Sequence, residues 1–349
     1  MSSRYFATLT AVVFSLMLFL PLKAFSQIIK PTGNFSRQSS QLIYVYDNID
    51  SSNSEYLQVT NTNDTESVWV HVQIFRNFNV TSSPLVNVIC DERDFVDFLT
   101  PNDTHVYELG DVNFTKNIGE TETMAGESTS IDATGTEGFV IITPVVSESD
   151  FSAISFQYLI GTAEVGSDDG WMNAMGRDAV DFTTGEIVED NTVLDGITNG
   201  FVVLQPDELL FNILQDGPVA LQSVVFQDSY GPAGLLGYQA LPASASWTSF
   251  IFDFKEDPTS CGNKTIQCYA DLGIEEVNFE QDNTELGDNL LCNGVDIPET
   301  QDNGSGTGDR YAWVRIFVSG LGDYVNHIAA FRNDYETFDV DDTVWMYTK

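Results

Sequence analysis

The chain has 349 residues, with 52 Asp and Glu against 14 Lys and Arg, a formal charge of −38, and 42% hydrophobic residues. Such a charge repels nucleic acid and anionic lipid, which excludes both as partners, and it attracts Ca²⁺ or cationic surfaces. The apolar content, rich in Phe and Tyr, excludes a disordered acidic tail.

In chain order, Arg4 precedes an apolar run from Phe6 to Leu20, Pro21 follows, and Ala24 and Ser26 place small residues at a signal-peptidase site. The run is shorter than the roughly 20 residues a bilayer core requires, so residues 1–26 read as a cleaved signal peptide, leaving no membrane span. Removing Arg4 and Lys23 with it leaves 12 basic against 52 acidic residues, a formal charge of −40. The expected location is secreted, extracellular or on the cell surface.

A first strand is expected at 41–46 ("QLIYVY"). The stretch "YLQVTNTNDTESVWVHVQIFR", 56–76, reads as two strands around a polar tip, a hairpin with the sequon at Asn63 on its exposed end. Val68, Val70, Val72 and Ile74 alternate onto one face and are expected in the core, with Trp69, His71, Gln73 and Phe75 on the other. Strands follow at 94–99, 104–109, 138–145 and 154–160, with "LTPNDTHVYEL" turning between the first two of these.

On "YLQVTNT" and "LTPNDTHVY" residues 41–165 resemble the Ig-like β-sandwich modules of exported bacterial and archaeal surface proteins. The resemblance implies a sandwich fold for 27–165 and transfers no functional residue. "GSDDGW", 166–171, reads as the boundary to a second β-sandwich-like domain, 166–349, with long acidic loops. Its strands are expected at 201–205, 220–227, 249–254, 311–318, 326–332 and 343–347. "PDELLFNILQ", 206–215, reads as a short helix, because Leu209 and Ile213 lie one turn apart behind Pro, Asp and Glu. The fold class is therefore all-β, two sandwiches with few short helices.

Four cysteines in an exported chain imply two disulfides. The turn-forming "CGNKTIQC" favours Cys261 with Cys268, leaving Cys90 with Cys292; the spacing lacks the paired elements of a structural zinc site. Seven sequons, at Asn34, Asn63, Asn79, Asn102, Asn113, Asn263 and Asn303, are candidate glycosylation sites. The three histidines, His71, His105 and His327, sit in strand-like settings without a hydrolase motif and read as satisfied or exposed strand residues, not catalytic ones. Residues 281–310 gather Asp282, Glu285, Asp288, Asp296, Glu299 and Asp302, a candidate Ca²⁺ loop without EF-hand spacing, and Asp339–Asp342 repeat the theme. No cofactor is required by any motif. Trp69, Phe75 and Trp313 are candidate binding aromatics. The expected role is that of a secreted or cell-surface structural or adhesive protein, a unit of an envelope layer or extracellular filament. Its partners would be further copies, other surface proteins or polysaccharide. The alternative is a carbohydrate-binding module or a polysaccharide hydrolase built on paired carboxylates.

Overall fold

The computed structural model describes residues 37–48, 56–80, 86–109, 136–165, 170–214, 219–231, 237–253, 258–274, 311–333 and 344–346, and every regular element among them is a β-strand. Residues 34–349 form one compact unit.

Ten strands build a first sandwich: β1 (Gln41–Asn48), β2 (Tyr56–Asn61), β3 (Val68–Val80), β4 (Val86–Leu99), β5 (Thr104–Glu108), β6 (Thr136–Ser147), β7 (Asp150–Ala153), β8 (Leu159–Val165), β9 (Gly170–Asn173) and β10 (Met175–Arg177). One sheet runs β10-β1-β6-β3-β4, with β7 on β6; the other runs β5-β2-β8-β9. A ribbon of β11 (Ala179–Asp181) and β12 (Asn199–Phe201) follows. The second sandwich comprises β13 (Glu208–Leu214), β14 (Val219–Tyr230), β15 (Tyr238–Pro242), β16 (Ser244–Asp253), β17 (Pro258–Gln267), β18 (Tyr269–Ile274), β19 (Tyr311–Ser319), β20 (Val325–Asn333) and β21 (Val344–Met346). Its sheets run β13-β19-β16-β17 and β15-β14-β20-β21, with β18 also on β14.

The stretch 56–76 is not a hairpin. β2 pairs with β5 and β8 while β3 pairs with β4 and β6, so residues 62–67 carry the chain from one sheet to the other. Asn61 and Asn63 make this crossing self-sufficient. Asn61 Nδ2 donates to Glu66 O (2.8 Å) and Thr100 O (3.0 Å), and Asn63 Oδ1 accepts from the backbone N–H of Thr65 and of Glu66 (both 2.9 Å). Side-chain turns of this kind satisfy the backbone without strand pairing. The crossing sets Leu57 and Val59 of β2 in one core with the Val68, Val70, Val72, Ile74 face of β3, whereas a hairpin would lay the two faces side by side. The turn at 100–103 likewise joins β4 to β5 across the sandwich.

From Val70 to Asn77 every side chain of β3 is buried, so both of its faces are covered. The second face, with Phe75, Phe139 and Ile141, shares a core cluster with Val224, Phe226, Ala240, Tyr269 and Ile328 of the second sandwich. β14 is two-sided as well, since its Leu221 and Val225 join Trp247, Val314 and Ile316 in a separate core. Four sheets are therefore stacked, and the two inner ones bury both faces.

Two expectations change here. The boundary expected after residue 165 falls between paired strands, Val165 opposite Gly170, and β10 then pairs with β1, so the first sandwich closes only at Arg177. A turn and a linker share the same Gly and Asp composition, which is why the sequence misplaces it. The helix expected at 206–215 is β13, paired along its length with β19. Leu209 and Ile213, four apart, share a face in a strand as well as in a helix, and pairing with a neighbour decides between them.

Candidate functional sites

The two sandwiches meet along a seam of buried polar groups. Arg177 of β10 forms a double contact with Asp228 of β14: Nη1 donates to Oδ1 (3.1 Å) and Nη2 to Oδ2 (2.6 Å). Its remaining donors reach Gln41 Oε1 (2.8 Å) and Val202 O (3.0 Å), and its guanidinium lies 5.4 Å from the ring centres of Phe201 and Phe226. Asp228 also accepts from Tyr238 OH (2.7 Å) and Asn326 Nδ2 (2.9 Å). Burial works against the arginine's charge, but Asp228 outweighs it and holds the guanidinium protonated; burial and Asp228 both push the Tyr238 phenol up, so it stays a donor. A buried pair in which the carboxylate accepts four hydrogen bonds and the guanidinium donates four fixes geometry more than it adds stability.

Three further contacts cross the seam. Gln73 Oε1 accepts from Ala240 N (3.0 Å), Asn77 Nδ2 donates to Tyr269 O (3.2 Å), and Gly237 lies against the Phe151 backbone. Gly237 has φ +60°, and a Cβ there would sit 2.2 Å from the Phe151 carbonyl carbon, so only glycine fits.

A disulfide joins the same two bodies. Cys90 of β4 is bonded to Cys268, between β17 and β18, with Cα atoms 6.1 Å apart and a sequence separation of 178. The expected pairs Cys261–Cys268 and Cys90–Cys292 are overturned. Cys261 lies within β17, and about 3.3 Å of rise per residue puts it about 23 Å from Cys268, far beyond bridging range. Gly262 does take a positive φ, +81°, but inside the strand beside the register shift against β16, not in a closing turn. Cys292 lies outside the described residues.

All three histidines are internal. His327 Nε2 accepts from Trp247 Nε1 (3.2 Å) and faces Ser223 Oγ (3.0 Å), which puts the ring proton on Nδ1, buried without a partner; burial lowers its pKa to about 3. His105 is held between Asp97 (Nδ1, 2.5 Å) and Asp103 (Nε2, 3.2 Å), with Tyr107 OH donating to the same Asp97 oxygen (2.9 Å). This pins the 100–103 crossing. His71 Nε2 meets Asp94 (2.9 Å) under a stacked Phe151, and Gln73 Nε2 donates to Glu92 (2.6 Å). Glu92 and Asp94, two apart on β4, are pushed in opposite directions: burial raises Glu92, and the His71 hydrogen bond lowers Asp94. Opposed carboxyls are what acid–base chemistry needs, but here each is engaged by a side chain of β3.

The candidate aromatics are not brought together. Trp69 packs on Phe98, ring centres 4.7 Å apart, and Phe75, 1% exposed, stacks on Phe139 at 4.5 Å inside the seam. Phe75 is therefore no platform, while Trp69 and Phe98 are half-buried. Trp313 lies on the outer face of the β13-β19-β16-β17 sheet, stacked at 3.9 Å on Phe252. Phe317 (38% exposed) and Leu210 (46% exposed) share that face with Phe250, and Arg315 lies over the Phe317 ring while pairing with Glu208. The sequence singled out Trp313 on this face and missed Phe250 and Phe252, whose alternation is plain only once Ser249 and Ile251 are known to be core.

Of the sequons, Asn63 is 6% exposed, its Oδ1 absorbed by the 62–67 crossing, which corrects the exposed-tip expectation. Asn102 and Asn263 are exposed. Asn79 lies in β3, and Asn34, Asn113 and Asn303 fall outside the described residues, as do both acidic Ca²⁺ candidates, 281–310 and 339–342. A polar cleft of about 420 Å³ lies beside the crossing, lined by Asp64, Glu66, Glu189, Asp190 and Tyr158 among others. Asp190 raises the pKa of Tyr158. No family, curated protein or solved structure matches this chain.

Proposed function

We propose that this protein works outside the cytoplasm as a structural or adhesive β-sandwich unit. The seam carries this reading: a disulfide, a buried Arg–Asp network and a shared apolar core turn two sandwiches into one stiff body, which suits a part that transmits or bears contact. The leader-like residues 1–26 support export, and the acidic surface keeps such a unit soluble until it meets its site. Assembly would use a sheet edge. β21 ends the path of its sheet, with β20 on one side, and an added strand could pair with its other side.

Electron microscopy and sedimentation at rising concentration test this, with the full mature chain and a variant ending at residue 342. The reading expects assemblies from the full chain that are lost on truncation. Monomers from both chains at high concentration, with or without Ca²⁺, would contradict it.

A further inference from the structure

The outer face of the β13-β19-β16-β17 sheet needs an occupant, because an exposed aromatic and aliphatic cluster is uncommon on a soluble chain. Among the described residues of that face the charged side chains are Arg315 and Glu208, which neutralise each other. With that pair neutralised the face offers no net charge to hold a charged partner, and a neutral ligand fits it.

One sequon stands on the same face. Asn263 of β17 lies opposite Thr248 of β16, which lies opposite Phe317 of β19, so the three form one row across the sheet. Strand spacing of about 4.8 Å puts the Asn263 and Phe317 backbones about 10 Å apart, and Phe250 is the diagonal neighbour at about 7 Å. Thr248 Oγ1 donates to Asn263 Oδ1 (2.8 Å), which orients the amide and leaves Nδ2, the atom that takes a sugar, unengaged on an exposed residue. Thr265, the third residue of the sequon, lies opposite Ser246 and shares this face.

We propose that an N-linked glycan on Asn263 lies back over Phe250 and Phe317 and is the occupant of this face. The inference rests on the export reading above. Attachment forms a bond from Nδ2 to the anomeric carbon and breaks that carbon's bond to the pyrophosphate of a lipid-linked oligosaccharide donor. One amide proton and the lipid pyrophosphate leave. The first sugars then set their C–H faces on the rings and their hydroxyls toward water, which covers the apolar surface without burying a polar group.

The test is secretion of the full chain from a eukaryotic host that attaches N-glycans, with glycopeptide mapping. Asn102, exposed on the 100–103 turn, is the internal control. Expected are an occupied Asn263, a melting midpoint about 2 °C lower and stronger hydrophobic-dye binding in Thr265→Ala, and neither change in Asn102→Gly, which removes the sequon and suits the positive φ of 58° at that position. Thr265→Ala leaves Asn263 and its bond to Thr248 in place, so lost sugar is separated from lost packing. In a Phe250→Ala background the Thr265→Ala effect should shrink. Occupied Asn102 with bare Asn263 would overturn the proposal, as would an occupied Asn263 whose loss moves neither midpoint nor dye binding. A chain retained inside the cell without any glycan would overturn the export reading, and this one with it.

Discussion

His327 shows most plainly how burial and hydrogen bonding set the behaviour of a single residue in this protein. Burial lowers its pKa to about 3, so the folded protein keeps the ring neutral at a pH where the unfolded chain, titrating near 6.5, binds a proton. The sign follows from linkage: this contribution is complete above pH 6.5 and is lost as pH falls from 6.5 toward 3, at up to about 1.4 kcal/mol per pH unit. Urea unfolding of the native chain and His327→Gln at pH 7, 5.5 and 4.5 checks it. The native chain should lose stability faster than the variant as pH falls, and parallel losses would refute the assignment. The sequence reads His327 as a satisfied or exposed strand residue and cannot choose between the two. Burial decides, and the partners Trp247 and Ser223 lie 80 and 104 residues distant, where no local pattern connects them.

At the scale of elements, β3 carries the most information. Its alternation was legible, and the valine face is in the core as read. Its other face, Gln73 above all, became legible only with the second sandwich in place, because a polar residue at an alternating position reads as solvent-facing until its partner is known. Gln73 hydrogen-bonds the Ala240 backbone N–H (3.0 Å) as an added strand would. Gln73→Ala removes that acceptor from a buried donor and should cost about 1–3 kcal/mol by denaturant unfolding; a loss below half a kcal/mol would mean that water replaces it. The strands at 41–46, 138–145 and 220–227 were visible as apolar runs. The pairing of β2 and β3 with different sheets was not, since "NTNDTES" suits a hairpin tip and a sheet-to-sheet crossing equally. The same degeneracy hid the disulfide: Gly and Asn between two cysteines suggest closure, and the extended β17 forbids it.

The whole molecule is governed by its seam. The composition pointed to two sandwiches, but not to their fusion, which depends on contacts between residues as far apart in sequence as Asn77 and Tyr269 or Cys90 and Cys268. Arg177→Met would leave Asp228 buried without its cation, and the expected loss is about 3–5 kcal/mol. Because Arg177 also holds Gln41 of β1 while Asp228 is shared by Tyr238 and Asn326 of the second sandwich, that loss should loosen both sandwiches together. Differential scanning calorimetry of the oxidised full chain tests the fused body most directly. One transition is expected, with a calorimetric to van't Hoff enthalpy ratio of about 1, moving as a single peak to lower temperature in Arg177→Met. Two resolved transitions in the native chain, with Arg177→Met shifting only one of them, would show that the sandwiches are independent and would contradict the account.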